Sequence, residues 1–179
     1  MKQVLAVIDM QVDFVNGSLG TEEAEGIVSA VADKILNWKG PVYATRDTHE
    51  TDYLETQEGR NLPVAHCIRS TPGWEIVPEV AEALKEKNAI IIDKPTFGSL
   101  ILAEQLKELN QKEPISIELV GLCTDICVVS NALLLKANMP ETAISVDASC
   151  CAGVTPASHQ EALDTMRSCQ IEVRNGNPD

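Results

Sequence analysis

Short apolar, β-branched runs alternate with amphipathic stretches along this chain, and that alternation constrains its fold more than any other feature. Val4–Ile8, Val42–Thr45, Ala89–Ile92, Ile115–Val120, Ala143–Val146 and Ile171–Val173 read as strands. Between them, residues at Glu22–Trp38, Ile76–Glu86, Ser99–Leu109, Asp125–Ala137 and Pro156–Cys169 follow helical spacing. In the first helix Ile27, Val28, Val31, Ile35 and Leu36 share a face; in the third, Leu100, Ala103, Leu106 and Leu109 do, behind a Ser99 N-cap. Strands that alternate with helices predict an α/β fold with a mostly parallel sheet covered on both faces. At 179 residues the chain is expected to form one domain spanning 1–179. The tail from Asn175 to Asp179 is expected to fray.

Charge and composition narrow the partners. The net charge of −13 and the absence of a Lys/Arg cluster argue against nucleic acid. No run approaches the ~20 apolar residues of a membrane span, and the N-terminal apolar run is too short for a signal peptide. A cytoplasmic protein without a membrane partner is therefore expected. In that setting the six cysteines are read as reduced thiols. Symmetric self-association into a homo-oligomer is the default for such a chain.

In open parallel sheets, sites lie at the carboxyl ends of the strands. Asp9, Asp47, Lys94, Cys127 and Asp147 all fall at or just past predicted strand ends. Cys127 lies in a turn that opens a helix, behind Thr124 and Asp125, where the helix dipole and free N–H groups favour thiolate and can hold an oxyanion. Asp9 could accept the thiol proton, and Lys94 offers a cation. The bland alternatives are a buried inert cysteine, a turn-capping carboxylate and a solvated lysine.

Residues 46–74 form a long irregular stretch, a length that usually signals function or disorder. Two of the three histidines, His49 and His66, lie there with Asp47, Glu50, Asp52, Glu55 and Glu58. Two imidazoles with one or two carboxylates suit zinc, iron or manganese; the alternative is a polar loop whose histidines bond locally. Cys67 is a candidate soft ligand beside His66, and His159, in a predicted helix, is read as structural.

Three motifs carry a family resemblance from the first strand to about residue 155: Asp9-Met10-Gln11-Val12-Asp13-Phe14, Lys94, and Gly121-Leu122-Cys123-Thr124-Asp125-Ile126-Cys127. Together with Asp47-Thr48-His49 and Gly73-Trp74 they resemble the isochorismatase-like cysteine hydrolases, and within them the nicotinamidases. The resemblance implies a six-stranded parallel sheet in the order 3-2-1-4-5-6. It implies a catalytic set of Asp9, Lys94 and Cys127, acting through a thioester on a small-molecule amide. The backbone N–H groups of Cys123 and Cys127 would form an oxyanion hole, beside a cis Leu122–Cys123 peptide. One divalent transition metal, zinc first and iron or manganese next, would sit on Asp47, His49, Glu58 and His66 and anchor a pyridine nitrogen. Phe14 and Trp74 would line the ring slot.

Two departures stand out. Where nicotinamidases often carry a third loop histidine, this chain offers Glu58 first and Glu55 second. Cys123 occupies a position where many relatives have Ala. Besides a nicotinamide-type amidase, the residues admit a metal-free hydrolase of a ureido or carbamoyl compound. They also admit a silent interaction subunit of the same fold, or a thiol redox protein using Cys123, Cys127, Cys150 and Cys151.

Overall fold

The computed structural model describes residues 1–176; the last three residues of the expected frayed tail lie outside them. Six strands form one parallel sheet in the order β3-β2-β1-β4-β5-β6. They are β1 (Lys2–Ile8), β2 (Val42–Asp47), β3 (Ile90–Lys94), β4 (Ile115–Leu122), β5 (Ala143–Ala152) and β6 (Glu172–Arg174). The helices are α1 (Val12–Val15), α2 (Glu22–Gly26), α3 (Val28–Asn37), α4 (Gln57–Asn61), α5 (Pro78–Glu86), α6 (Leu100–Lys112), α7 (Val129–Asn138) and α8 (Pro156–Ser168). Among the described residues no helix is long and apolar enough to cross a membrane.

The continuous apolar run of β1 follows from burial on both faces. Val4, Ala6 and Ile8 join the core beneath α6, α7 and α8, whereas Leu5 and Val7 point to the core beneath α3 and α5. The two halves of the sheet grow in opposite directions from β1 and β4, so the crevice between the carboxyl ends of those strands is where such a fold places a site.

Several boundaries differ from expectation for identifiable reasons. The first predicted helix is two, α2 and α3, divided at Ile27 after Gly26. In α6 the inward residues are Leu102, Ala103 and Leu106, while Leu100 faces solvent. The Ser99 hydroxyl caps that helix by accepting from Leu102 N at 3.1 Å. β5 runs six residues further than predicted, past an irregularity opposite Leu119 and Gly121. Asp147 therefore lies inside the strand, not at its end. It is buried, pairs with Lys34 of α3, and accepts from Ser149 and Asn175. Its grouping with the strand-end residues is overturned. The loop expected to be irregular contains α4 and two 3-10 turns, Tyr53–Glu55 and Pro72–Trp74.

Candidate active site

Asp9 leaves β1 with φ of 47°, a left-handed conformation that aspartate tolerates better than most residues. Beside it, β4 approaches β1 through Gly121, which pairs with Ile8; a Cβ there would lie 2.1 Å from Ile8 O. Only glycine permits that approach at φ +116°. The next peptide, Leu122–Cys123, is cis. The chain then winds into one π-helical turn, Thr124–Val128, before α7. The Cys123 carbonyl accepts from Ile126 N and Val128 N at 3.1 and 3.0 Å, which fixes the turn carrying Cys127.

Lys94, at the end of β3, is the hub. Its Nζ lies 2.7 Å from Asp9 Oδ2, 3.3 Å from Asp47 Oδ1 and 3.5 Å from Cys127 Sγ, and donates to Thr96 O at 3.0 Å. The contact with Asp9 Oδ2 is an ion pair rather than an aligned hydrogen bond; that oxygen has no hydrogen-bond donor, while Oδ1 accepts from Thr45 Oγ1 at 2.7 Å. All three catalytic candidates are almost wholly buried. Burial opposes charge on Lys94, but Asp9, Cys127 and Asp47 outweigh it and hold the ammonium protonated. Burial raises the Asp9 carboxyl above its ordinary range, and the Lys94 charge only partly offsets this. Burial and the Asp9 charge push the Cys127 thiol well above its ordinary range. At rest the sulfur is thus a thiol. The Cys123 thiol is pushed up to about 12, first by burial and then by Asp125.

Asp47 joins this group to a second one. Its Oδ2 lies 2.9 Å from His49 Nε2 and 3.6 Å from His66 Nε2, while Glu58 Oε1 is 3.5 and 3.9 Å from the same two nitrogens. One donor atom from each of Asp47, His49, Glu58 and His66 falls within 4.8 Å of the others. Two imidazoles and two carboxylates make a mixed nitrogen and oxygen set that fits a divalent transition ion. Burial raises Asp47, but its bonds to His49 and His66 and the charge of Lys94 reverse this and hold the carboxylate far below its usual range. Glu58 enters from α4, whose N-cap Thr56 accepts from Gly59 N; Glu55 is not in the group. Tyr53 packs on both imidazoles, with centroids 4.6 Å from His49 and 4.9 Å from His66.

A cavity of about 220 Å³ opens between the two groups, reaching Cys127 and Cys123 on one side and Asp47, Glu58 and His66 on the other. Phe14 lines it, as expected. Trp74 does not: its ring carries the Arg46 guanidinium at 3.7 Å and its Nε1 donates to Thr48 Oγ1 at 2.8 Å. The second aromatic on the wall is Phe97. With only two phenylalanines in the chain, one of them three residues past Lys94, the sequence held that signal. His159 lies outside the donor group and bonds through Nδ1 to Thr124 Oγ1 at 2.7 Å. Cys67 also lies outside it, and all six cysteines are unpaired.

A parallel sheet in the order 3-2-1-4-5-6, with an aspartate after β1, a lysine at the end of β3 and a cysteine in the turn after β4, defines a class, and residues 3–177 match the isochorismatase domain. The chain belongs to the isochorismatase family. Among relatives, it is 26% identical over 185 residues to the nicotinamidase/pyrazinamidase of Mycobacterium tuberculosis, covering 96% of this chain and 97% of the other. It is similar to the solved pyrazinamidase of Pyrococcus horikoshii in complex with zinc, at 26% identity and a TM-score of 0.79, covering 97% and 98% of the two chains. The fold is also that of the Streptococcus mutans pyrazinamidase/nicotinamidase, with a TM-score of 0.82 at 23% identity over 96% and 99%.

Proposed function

We propose that this protein is a cysteine amidohydrolase that converts nicotinamide, or a related small aromatic amide, to the acid and ammonia. The observation that carries the reading is the single buried ammonium of Lys94, placed against Asp9, Cys127 and Asp47, the last two of which line a small aromatic-walled cavity. The similarity to proteins named nicotinamidase/pyrazinamidase supports the same reading. The cavity is smaller than the about 300–1,000 Å³ of drug-sized sites and suits a single ring.

In the proposed reaction Asp9 takes the Cys127 proton as the sulfur attacks the amide carbonyl. The backbone N–H groups of Cys123 and Cys127 hold the oxyanion. Asp9 returns the proton to the departing nitrogen, ammonia leaves, and water activated by Asp9 cleaves the thioester. Lys94 holds Asp9 and the sulfur in register and balances the charge that develops on them. Asp47, His49, Glu58 and His66 would hold a divalent ion, zinc first, with iron or manganese as alternatives. When bound, that ion supplies a Lewis-acid anchor for a ring nitrogen. Phe14 and Phe97 would enclose the ring.

The test is ammonia release from nicotinamide by purified protein, with ion content measured on the same sample. Release with about one transition ion per chain is expected. No release from an ion-loaded sample would overturn the nicotinamide assignment, and absence of both would withdraw the ion-anchored amidase altogether.

A further inference from the structure

The first motif carries three polar residues at alternate positions, Asp9, Gln11 and Asp13, and the mechanism uses only the first. The other two reach the ion group from the far side. The Gln11 side chain is fully buried and grips Asp47 by its backbone: Oε1 accepts from Asp47 N at 2.7 Å, and Nε2 donates to Asp47 O at 2.8 Å and to Trp74 O at 2.9 Å. Asp13 grips the other histidine loop. Its Oδ2 accepts from Cys67 N at 2.7 Å, and its Oδ1 from Ser18 N at 3.4 Å.

The Asp13 contact fixes a peptide that would otherwise be hard to hold. Cys67 stands at φ 47°, unfavourable for a residue with a Cβ. Its N–H goes to Asp13 and its carbonyl accepts from His49 N at 3.0 Å, so both backbone groups are committed. The peptide that carries that N–H begins at His66. The His66 ring is set by Nδ1 against Val64 O at 2.8 Å, which leaves Nε2 facing Asp47 and Glu58. Gly73 makes room for the clamp: a Cβ there would lie 2.2 Å from an Asp13 carboxylate oxygen. Losing an outer partner that orients a ligand typically costs about 10- to 100-fold in ion affinity.

We infer that Gln11 and Asp13 are positioning residues that preform the ion site, Gln11 by holding Asp47 and Asp13 by holding the His66–Cys67 turn. The inference rests on the proposed ion site. The hydrogen bonds of both side chains go to backbone groups, so neither is assigned a catalytic role.

The experiment measures zinc affinity by chelator competition on the full chain for wild type, Asp13→Ala, Asp13→Asn and Gln11→Met, with alkylation of Cys127 followed by peptide mass spectrometry. Asp13→Ala and Gln11→Met are expected to weaken zinc binding about 10- to 100-fold. Asp13→Asn, which keeps an acceptor for Cys67 N, should stay within a few-fold of wild type. Cys127 alkylation in the zinc-free proteins should match wild type, which separates a local loss from general unfolding. Zinc affinity unchanged in Asp13→Ala and Gln11→Met would overturn the inference while leaving the ion site intact. Zinc loss accompanied by wholesale exposure of Cys127 in every variant would reduce the two residues to fold stabilisers and overturn it as well. A wild type that binds no zinc, cobalt or manganese would instead remove the ion reading, and the inference with it.

Discussion

The triad and the ion group share one carboxylate, Asp47, yet they are built by different means. Asp9, Lys94 and the turn bearing Cys127 are set at the ends of three strands, and the sheet register that aligns Ile8 with Gly121 and Asp47 with Lys94 places them. The two packed cores enforce that register, because a slip by one residue would turn each strand's side chains to the opposite face. The ion group depends on a loop. His49 and His66 are brought together by a short pairing of His49 with Ile68 and by side-chain clamps from α1 and its approach, while Glu58 arrives on a helix of five residues. A nucleophile must be placed to a fraction of an ångström, and the sheet does that. A ligand set that an ion helps to gather can be assembled from less rigid parts.

If the division holds, damage to one group should leave the other standing. Cys127→Ala is expected to lower kcat by about 10⁴- to 10⁶-fold, the range for removal of a covalent nucleophile. Its ion content should be unchanged; full activity would break the covalent mechanism, and ion loss would break the separation. Lys94→Met comes next and reports on the shared core. It leaves Asp9, which is fully buried, without its counter-ion, and should cost about 3–5 kcal/mol of stability in urea denaturation. A loss below about 1 kcal/mol, the worth of an exposed pair, would mean that Asp9 is protonated in the resting protein. His49→Ala is smaller again on stability and more local. It should weaken zinc binding by more than the about 10- to 100-fold expected for an outer partner, and raise KM more than it lowers kcat. Unchanged zinc binding would remove the loop site from the argument.

The same division explains which parts of the molecule were legible in the sequence. The strands that end in Asp9, Asp47 and Lys94 read clearly, because each is an apolar, largely β-branched run terminated by a charge, even though Ile90 and Ile91 of the edge strand β3 are exposed. Asp147 misled for the same reason: a charge after an apolar run looks like a strand end. Here Lys34 reaches down from α3 to neutralise it within a continuing strand, and also pairs with Glu118 at 2.5 Å. No local pattern encodes a partner 113 residues away. The donor residues Asp47, His49, Glu58 and His66 were legible as chemistry, and their convergence is a tertiary fact. Trp74 is expected on the cavity wall and Phe97, of which nothing is expected, stands there instead, because ring placement depends on what else competes for the ring. Arg46 and Thr48 claim Trp74, whereas nothing draws Phe97 away from the cavity.

The finest test of the ion group is its response to pH. Burial disfavours charge on the His66 ring, but the bond to Asp47, the Val64 carbonyl and the Glu58 charge outweigh it, so its pKa lies above the ordinary 6.5. In ion-free protein the protonated ring therefore stabilises the fold. That contribution is complete below pH 6.5 and is lost as pH rises through the higher folded value. His159 works in the opposite sense: burial, only partly offset by Asp125, depresses its pKa and penalises acid. The stability difference between wild type and His66→Asn, followed against pH in chelator, isolates the His66 part and should shrink as pH rises. Zinc must reverse the trend. It binds the neutral ring, so protons compete with it, and the extra stability that zinc confers should fall as pH drops below the His66 value. Two slopes of opposite sign, one without and one with zinc, are what a shared histidine requires. A zinc-dependent stability that ignores pH across that window would place the ion on other residues.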